Sequence, residues 1–482
     1  MNSKNTIAVR PARPGGYREL LRISGPLILS MSSFTIMHFC DRVMLTHYSE
    51  ATAAAATGAG VLAFAMLSFA MGVATYVNTF VAQYFGAGDR EMCTRSLWQG
   101  IYFTLACSLI YPLVMVPGGL LLLRWIGHEP AVLEAELAYF TILAACAGTA
   151  LMNYTLSSFF SGCGRTWTVM WVDLLGAGIN IVLNYALIFG HWGMPEMGIR
   201  GAAIATVCGS SLSVVLFALL LLRPAWRVPF GIWRYRQLRW RSLWQLLRFG
   251  GPSGISFGLD ISAFSLFTLL VGKLGTIPLI ASNITLAVNT IGFLPMLGLS
   301  LGTNILVGQH IGAGRKDIAE KSAYTGAKLA TAYVVVLGLA LVLFPDMFIA
   351  MFRGPGISAA RFTEVSAYAR LLLKLIALAT VFDAWNTTFS GALKGAGDTW
   401  FTMWANVVLA WCVFVPPVYL TTVVWPQPIV VPWAFLVLYV FLLGVVYWIR
   451  FARGHWQTIE IRERAVPALV NELSGDALLV DG

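Results

Sequence analysis

Long apolar runs separated by short polar turns alternate along the whole chain. Six lie near 26 to 48, 55 to 84, 97 to 119, 136 to 161, 168 to 190 and 201 to 222; six more lie near 252 to 272, 278 to 308, 323 to 345, 366 to 391, 400 to 422 and 430 to 449. At about 1.5 Å per helical residue, a run of about 20 residues crosses a hydrocarbon core of roughly 30 Å. Strands of a membrane barrel would instead alternate in short segments, and that pattern is absent. The pattern predicts an all-α membrane protein with about twelve transmembrane helices.

The two sets of six repeat each other at an offset of 226 positions. Leu21-Arg22 and Gly25-Pro26 return as Leu247-Arg248 and Gly251-Pro252. Gly72, Asn78, Val81, Gln83, Gly86, Ala87 and Gly88 return as Gly298, Asn304, Val307, Gln309, Gly312, Ala313 and Gly314. The expected architecture is two pseudo-symmetric six-helix lobes around a central cleft, and a cleft between such repeats is where a transporter holds its cargo. The boundaries read as a cytoplasmic N-terminal segment at 1–25, an N-lobe at 26–222, a basic inter-lobe loop at 223–249, a C-lobe at 250–450 and a cytoplasmic tail at 451–482.

Composition agrees with a bilayer as the solvent: 58% of the 482 residues are hydrophobic and 11% charged, against roughly 25% charged in soluble domains. Basic residues set the orientation, because cytoplasmic loops hold excess Lys and Arg. With the N-terminus inside, 24 of the 32 Lys and Arg fall on inner segments, seven of them Arg between 223 and 248, where no acid stands. The net charge of +10 is mostly this asymmetry. It places both termini in the cytoplasm of a multi-pass inner (plasma) membrane protein, with the lipid bilayer as its surroundings and no soluble basic domain for nucleic acid. The first apolar run is too long for a signal peptide and contains Asp41, so it remains as the first helix. Seven cysteines stand singly, with no Cys-x-x-Cys pair, and read as small packing residues.

Asp41, Asp173, Asp260 and Asp383 fall inside the apolar runs, where an ionised Asp costs roughly 2.5 to 3.5 kcal/mol. Counted along the helices, Asp260 and Asp383 lie roughly 12 to 14 Å deep and Asp41 roughly 22 Å from the inner end. The acids do not follow the repeat: Phe34 stands opposite Asp260 and Phe267 opposite Asp41. Low dielectric penalises charge, and two carboxylates held close share it badly, so such groups can exchange a proton or Na⁺ for a cationic solute. The alternative is that they only hydrogen-bond neighbouring helices. Asp173, near an inner end, has the further option of snorkelling to the interface.

The paired Gln-x-x-Gly-Ala-Gly turns at Gln83 to Gly88 and Gln309 to Gly314, the Gly-Ala-Gly-Asp-Thr loop at 395 to 399, and the stretch from Gly178 to Asn184 with Asn at 180 and 184 resemble the multidrug and toxic compound extrusion (MATE) family. A weaker offset of 233 relates Asn153, Thr155, Ser157, Thr166 and Trp167 to Asn386, Thr388, Ser390, Thr399 and Trp400. The resemblance runs from about residue 17 to 450. It implies a V-shaped cleft and export of cationic or amphipathic compounds driven by H⁺ or Na⁺ entry, with no cofactor besides the coupling ion and a monomeric protein. Asp41 matches the family's first-helix acid, Asp260 the seventh-helix acid and Asp383 the tenth-helix acid, a set that points to the NorM-like bacterial branch. Two positions depart: the seventh-helix acid is usually Glu there, and Asn184 stands where members with a first-lobe ion site often carry Asp. Asn180, Asn184 and Thr206 remain as neutral oxygen donors around Asp41, and a shared Na⁺ site at Asp260 and Asp383 is the second expectation.

His38 lies one turn before Asp41 and offers either a proton relay or packing; Arg42 points about 100° away, towards the outer headgroups. Trp385, Phe382, Phe264, Phe267 and Tyr154 are candidates to stack on a flat cation, against a background of 13% aromatic residues. Neither glycine turn continues into Gly-Lys-Ser/Thr, so a nucleotide-phosphate loop is not indicated. At Gln83, Gly86, Gln309 and Gly312 the turns read as helix ends at the inner face, Gly supplying positive φ. The leading expectation is a cation-coupled multidrug efflux antiporter and not an enzyme. A lipid-linked saccharide flippase is the nearest alternative and would need a basic cleft, for which Arg370 and Lys374 are the only basic pair inside the second lobe. A membrane-embedded enzyme is a third, with no G-x-S-x-G or H-E-x-x-H pattern to support it.

Overall fold

The structure, a computed structural model, describes residues 14–352 and 359–461. The expectations for 1–13 and for the tail beyond 461 lie outside the described residues. Within them are eleven helices long and apolar enough to cross a membrane and one bent pair that makes a further crossing. In chain order these are α1 (Tyr17–Tyr48), α2 (Glu50–Gly86), α3 (Arg90–Ile126), α4 (Pro130–Ala145 with Ala147–Gly162), α5 (Thr166–Phe189), α6 (Ile199–Leu222), α7 (Trp240–Gly272), α8 (Thr276–Gly312), α9 (Lys316–Leu343), α10 (Ala359–Ala396), α11 (Thr399–Val424) and α12 (Val430–Ala452).

Several helices outrun their apolar stretches. Helix α1 starts nine residues before Pro26, and α7 starts at Trp240, so the connection expected at 223–249 is helical over its last ten residues and in the short helix Pro224–Phe230. Hydropathy marks the part that must avoid water; the backbone ladder continues past it through Arg18, Glu19 and Arg22. The run at 136 to 161 is not one straight helix but bends by 45° at Cys146. In α11 the ladder widens to π turns over 409–414 and 420–424, flanking Pro416 and Pro417, which offer no backbone N–H.

The two lobes are built alike. In the N-lobe α1 packs on α5, α2 on α4 and α4 on α6; in the C-lobe α7 packs on α11, α8 on α10 and α10 on α12. They join by crossing: α1 meets α8 and α2 meets α7. Leu20, Ile23 and Leu27 of α1 share a buried cluster with Met296, Leu299 and Leu306 of α8 and Val334 of α9. Glycines make the crossings close. A Cβ on Gly72 would lie 2.2 Å from Cα of Gly254, and one on Gly298 2.6 Å from the Ile28 side chain.

At the end where α1 begins and α12 stops, the two repeated turns grip each other. Gly86 and Gly312 abut the opposite glutamine backbone: a Cβ at 86 would sit 1.9 Å from the carbonyl oxygen of Gln309, and a Cβ at 312 1.9 Å from that of Gln83. The side chains exchange as well: Gln83 Nε2 donates to the Gly395 carbonyl (2.9 Å) and Gln309 Nε2 to that of Gly162 (2.8 Å). Asn78 Nδ2 donates across the seam to Asn304 Oδ1 (3.2 Å). Positive φ falls at Gly88 (+77°) and Gly314 (+75°), two residues beyond the glycines in contact. Past α12 the chain ties the same end together. Trp456 is buried in the C-lobe core, stacked on Phe451 at 4.9 Å, whereas Ile461 is buried in the N-lobe core and Ile459 packs half-buried against it.

Candidate functional site

Helices α1 and α5 run parallel in one register. Ser30 faces Asp173 and Asp41 faces Asn184, both pairs 143 positions apart in sequence. Eleven residues separate the two rungs, roughly 16 Å along the axis. Asp41 (6% exposed) accepts a hydrogen bond from Asn184 Nδ2, which also reaches Asn180 Oδ1 (3.0 Å). Asn180 Nδ2 in turn donates to Thr206 Oγ1 on α6 (3.3 Å). The four residues expected around a first-lobe site are thus brought together. Asn184 Oδ1 is buried with no hydrogen-bond partner, leaving one neutral oxygen beside the carboxylate unspent. Asp173 does not snorkel: it is 6% exposed and held by the Ser30 hydroxyl. His38 Nδ1 lies 3.9 Å from Asp41 Oδ2, beyond hydrogen-bond range, on a mostly exposed side chain.

In the C-lobe Asp260 and Asp383 are both half-buried, and Asp260 lies within electrostatic reach of Asp383. Asp383 Oδ1 accepts from Asn386 Nδ2 one turn on (2.9 Å). The Tyr439 hydroxyl of α12 lies 2.9 Å from Asp260 Oδ1 and 2.7 Å from Asn406 Oδ1, and Asn406 Nδ2 donates to Ser256 Oγ (2.9 Å) on α7. A hydroxyl carries one proton, so Tyr439 serves one of its two acceptors at a time. With Asp260 ionised the Tyr439 hydroxyl donates to the carboxylate; with Asp260 protonated, the acid can donate to the tyrosine oxygen and free the phenolic proton for Asn406. The site therefore has two hydrogen-bonded arrangements that differ by one proton. Lys394, in the last turn of α10, is within electrostatic reach of Asp260.

Sequence reasoning missed Tyr439, Asn406, Ser256 and Lys394 as members of this site. Asn406 had a signal, an amide in the apolar run 400 to 422, whereas one tyrosine among 16 had none. The proposed stacking aromatics are mostly engaged in packing. Trp385 Nε1 donates to Thr331 Oγ1 (3.1 Å), Phe382 meets Phe441 edge-on at 4.7 Å, and Phe267 is 1% exposed against Phe414 and Trp433. Gln83, Gly86, Gln309 and Gly312 belong to the inter-lobe grip and not to either acid cluster. Arg370 is paired with Asp346 (2.7 Å).

A family model described as MatE matches residues 26–186 and 252–420, one segment in each lobe. The chain belongs to the MatE family. Both matched segments open on a proline of the repeat, Pro26 and Pro252. Among curated relatives, a "Probable multidrug resistance protein NorM" of Bradyrhizobium diazoefficiens is 30% identical over 405 residues, 83% of this MatE chain and 85% of that protein. One of the same description from Pseudomonas syringae pv. tomato is 28% identical over 417 residues, 85% and 89% of the two chains. Among solved structures, the outward-facing conformation of a multidrug resistance MATE family transporter superposes with a TM-score of 0.83 at 19% identity, covering 92% of this chain and 97% of that one. A eukaryotic MATE transporter superposes with a TM-score of 0.77 at 20% identity, covering 91% and 96%. These likenesses establish the two-lobed MATE fold.

Proposed function

We propose that this MatE protein is a secondary active multidrug efflux antiporter, exporting cationic or amphipathic compounds from the cell in exchange for H⁺ or Na⁺. The observation that carries the reading is the pair of acid clusters, one in each lobe, lying beyond a seam that is closed at the end where α1 begins and α12 stops. Inter-lobe contacts run from the grip at Gly86 and Gly312 to Phe64 against Phe257 (6.0 Å); Asp260 is one turn beyond Phe257. With that end in the cytoplasm, as the basic residues favour, the acids face the outer side, where a coupling ion arrives and cargo leaves.

Chemically, the two C-lobe carboxylates attract either cargo or coupling ion. Protonation or Na⁺ occupation removes the charge that holds a cationic drug, and the drug occupies the space the ion needs. In the N-lobe the Asp41 carboxylate and the unspent Asn184 oxygen fit a hard cation. Entry of one charge across 100 mV supplies about 2.3 kcal/mol, close to fiftyfold in concentration. Curated relatives described as multidrug resistance proteins support the cargo class. With Arg370 spent on Asp346, the basic pair that a saccharide flippase would use is incomplete.

Reconstituted vesicles loaded with a cationic dye test the proposal. An imposed pH or Na⁺ gradient should drive dye movement in the wild type, and Asp383→Asn should abolish it while the protein still inserts. Undiminished transport by that variant would refute the exchange at the C-lobe acids.

A further inference from the structure

On the side of the N-lobe away from the other lobe, a groove of about 490 Å³ opens between the ends of α3 and α6, floored by α4. Leu120 and Arg124 line one wall, Glu134, Leu137 and Ile142 the floor, and Arg200 the other wall. Its outward aspect follows from the opposite face of α4. Glu136 Oε1 lies against Gly58 of α2 and Phe140 against Gly119 of α3, at 2.6 and 2.1 Å from a Cβ built there. Glu136 and Phe140 therefore point into the lobe, residues 134 and 141 stand on the far side of the helix, and Leu137 stands on the flank between them. Helices α1 and α2 are the N-lobe helices that cross onto the C-lobe, at α8 and α7, and α2 lies against the inward face of α4, so the groove looks away from the inter-lobe seam, towards lipid.

Its depth is that of a headgroup layer. Helix α3 starts beside the inter-lobe grip and ends at Ile126, two residues past Arg124; α6 starts at Ile199, one residue before Arg200. Both arginines thus lie at the bilayer edge opposite the inter-lobe grip. The neighbouring Trp125 is 82% exposed, as suits an interfacial aromatic. The charges are two guanidinium groups, which match phosphate in geometry, and one carboxylate on the floor, above apolar side chains. We infer that this groove seats a glycerophospholipid whose headgroup joins a phosphodiester to a primary ammonium: phosphate to Arg124 and Arg200, ammonium to Glu134, and an acyl chain along Leu120, Leu137 and Ile142.

The test is native mass spectrometry of the purified full chain with phosphatidylethanolamine and phosphatidylglycerol. Wild type should retain phosphatidylethanolamine in preference. The double variant R124Q/R200Q should lower retention of both lipids about tenfold, as loss of charge-assisted phosphate bonds requires. E134Q should lower only phosphatidylethanolamine and bring the ratio of the two near one. Leu137→Trp keeps every charge but fills the floor, and should displace both lipids; an unaltered size-exclusion profile controls for folding. Wild-type lipid number and ratio in the arginine and tryptophan variants would overturn the inference. So would displacement of bound lipid by equimolar inorganic phosphate, which would mark a site for free anions.

Discussion

Substituting Gly86 by alanine should open the end of the protein that the structure shows closed. The new methyl would sit 1.9 Å from the Gln309 carbonyl oxygen and 2.8 Å from its Cα, both backbone atoms. Carbon and oxygen pack at about 3.5 Å, so the two turns must part by roughly 1.5 Å. That separation takes Gln83 Nε2 and Gln309 Nε2 out of range of their carbonyls, now at 2.9 and 2.8 Å. Two neutral hydrogen bonds at about 1 kcal/mol each and about 1 kcal/mol of lost packing sum to about 3 kcal/mol, on the order of a hundredfold in a two-state equilibrium. Gly312→Ala, its partner in the repeat, should do the same through Gln83. The assay is spin-label distance measurement between α2 and α8 near the grip, with dye transport in parallel. The alanine variants should show a longer distance and impaired transport. Wild-type distances in both would mean that the grip does not hold the lobes.

Tyr439→Phe removes the hydroxyl that touches both Asp260 and Asn406; a lost hydrogen bond to a charged group costs about 1.5 to 3 kcal/mol, so coupling-ion affinity measured by drug displacement should change about tenfold or more, with helix content unaltered. Ile459→Ser with Ile461→Ser withdraws the tail from the N-lobe core; at about 1.5 kcal/mol or more for the buried Ile461 alone, protease cleavage after α12 should accelerate severalfold, and an unchanged rate would show that the tail is not held there.

Much of this molecule was legible in the sequence, because lipid makes few patterns admissible. The offset of 226 residues between Gly86 and Gly312 disclosed the duplication, and the structure shows why those glycines recur: each meets the other copy's glutamine backbone. Asp41, Asn180, Asn184 and Thr206, grouped from the sequence, are linked by hydrogen bonds in the structure. What stayed hidden depends on tertiary contact. Asp173 looked free to reach the interface until Ser30 of another helix was seen to hold it. Tyr439 is one aromatic in an apolar helix until α7 and α11 bring Asp260 and Asn406 to its hydroxyl. The bend at Cys146 left no mark in hydropathy, because the apolar run continues across it.

The account stands on opposition between ion and cargo at the C-lobe carboxylates. The most direct measurement is equilibrium binding of a fluorescent cationic drug to the purified protein while pH or Na⁺ is varied. Drug affinity should fall as protons or Na⁺ increase, and that dependence should vanish when Asp260→Asn and Asp383→Asn are combined. Drug binding indifferent to both ions in the wild type, or an unaltered ion dependence in the double variant, would contradict it.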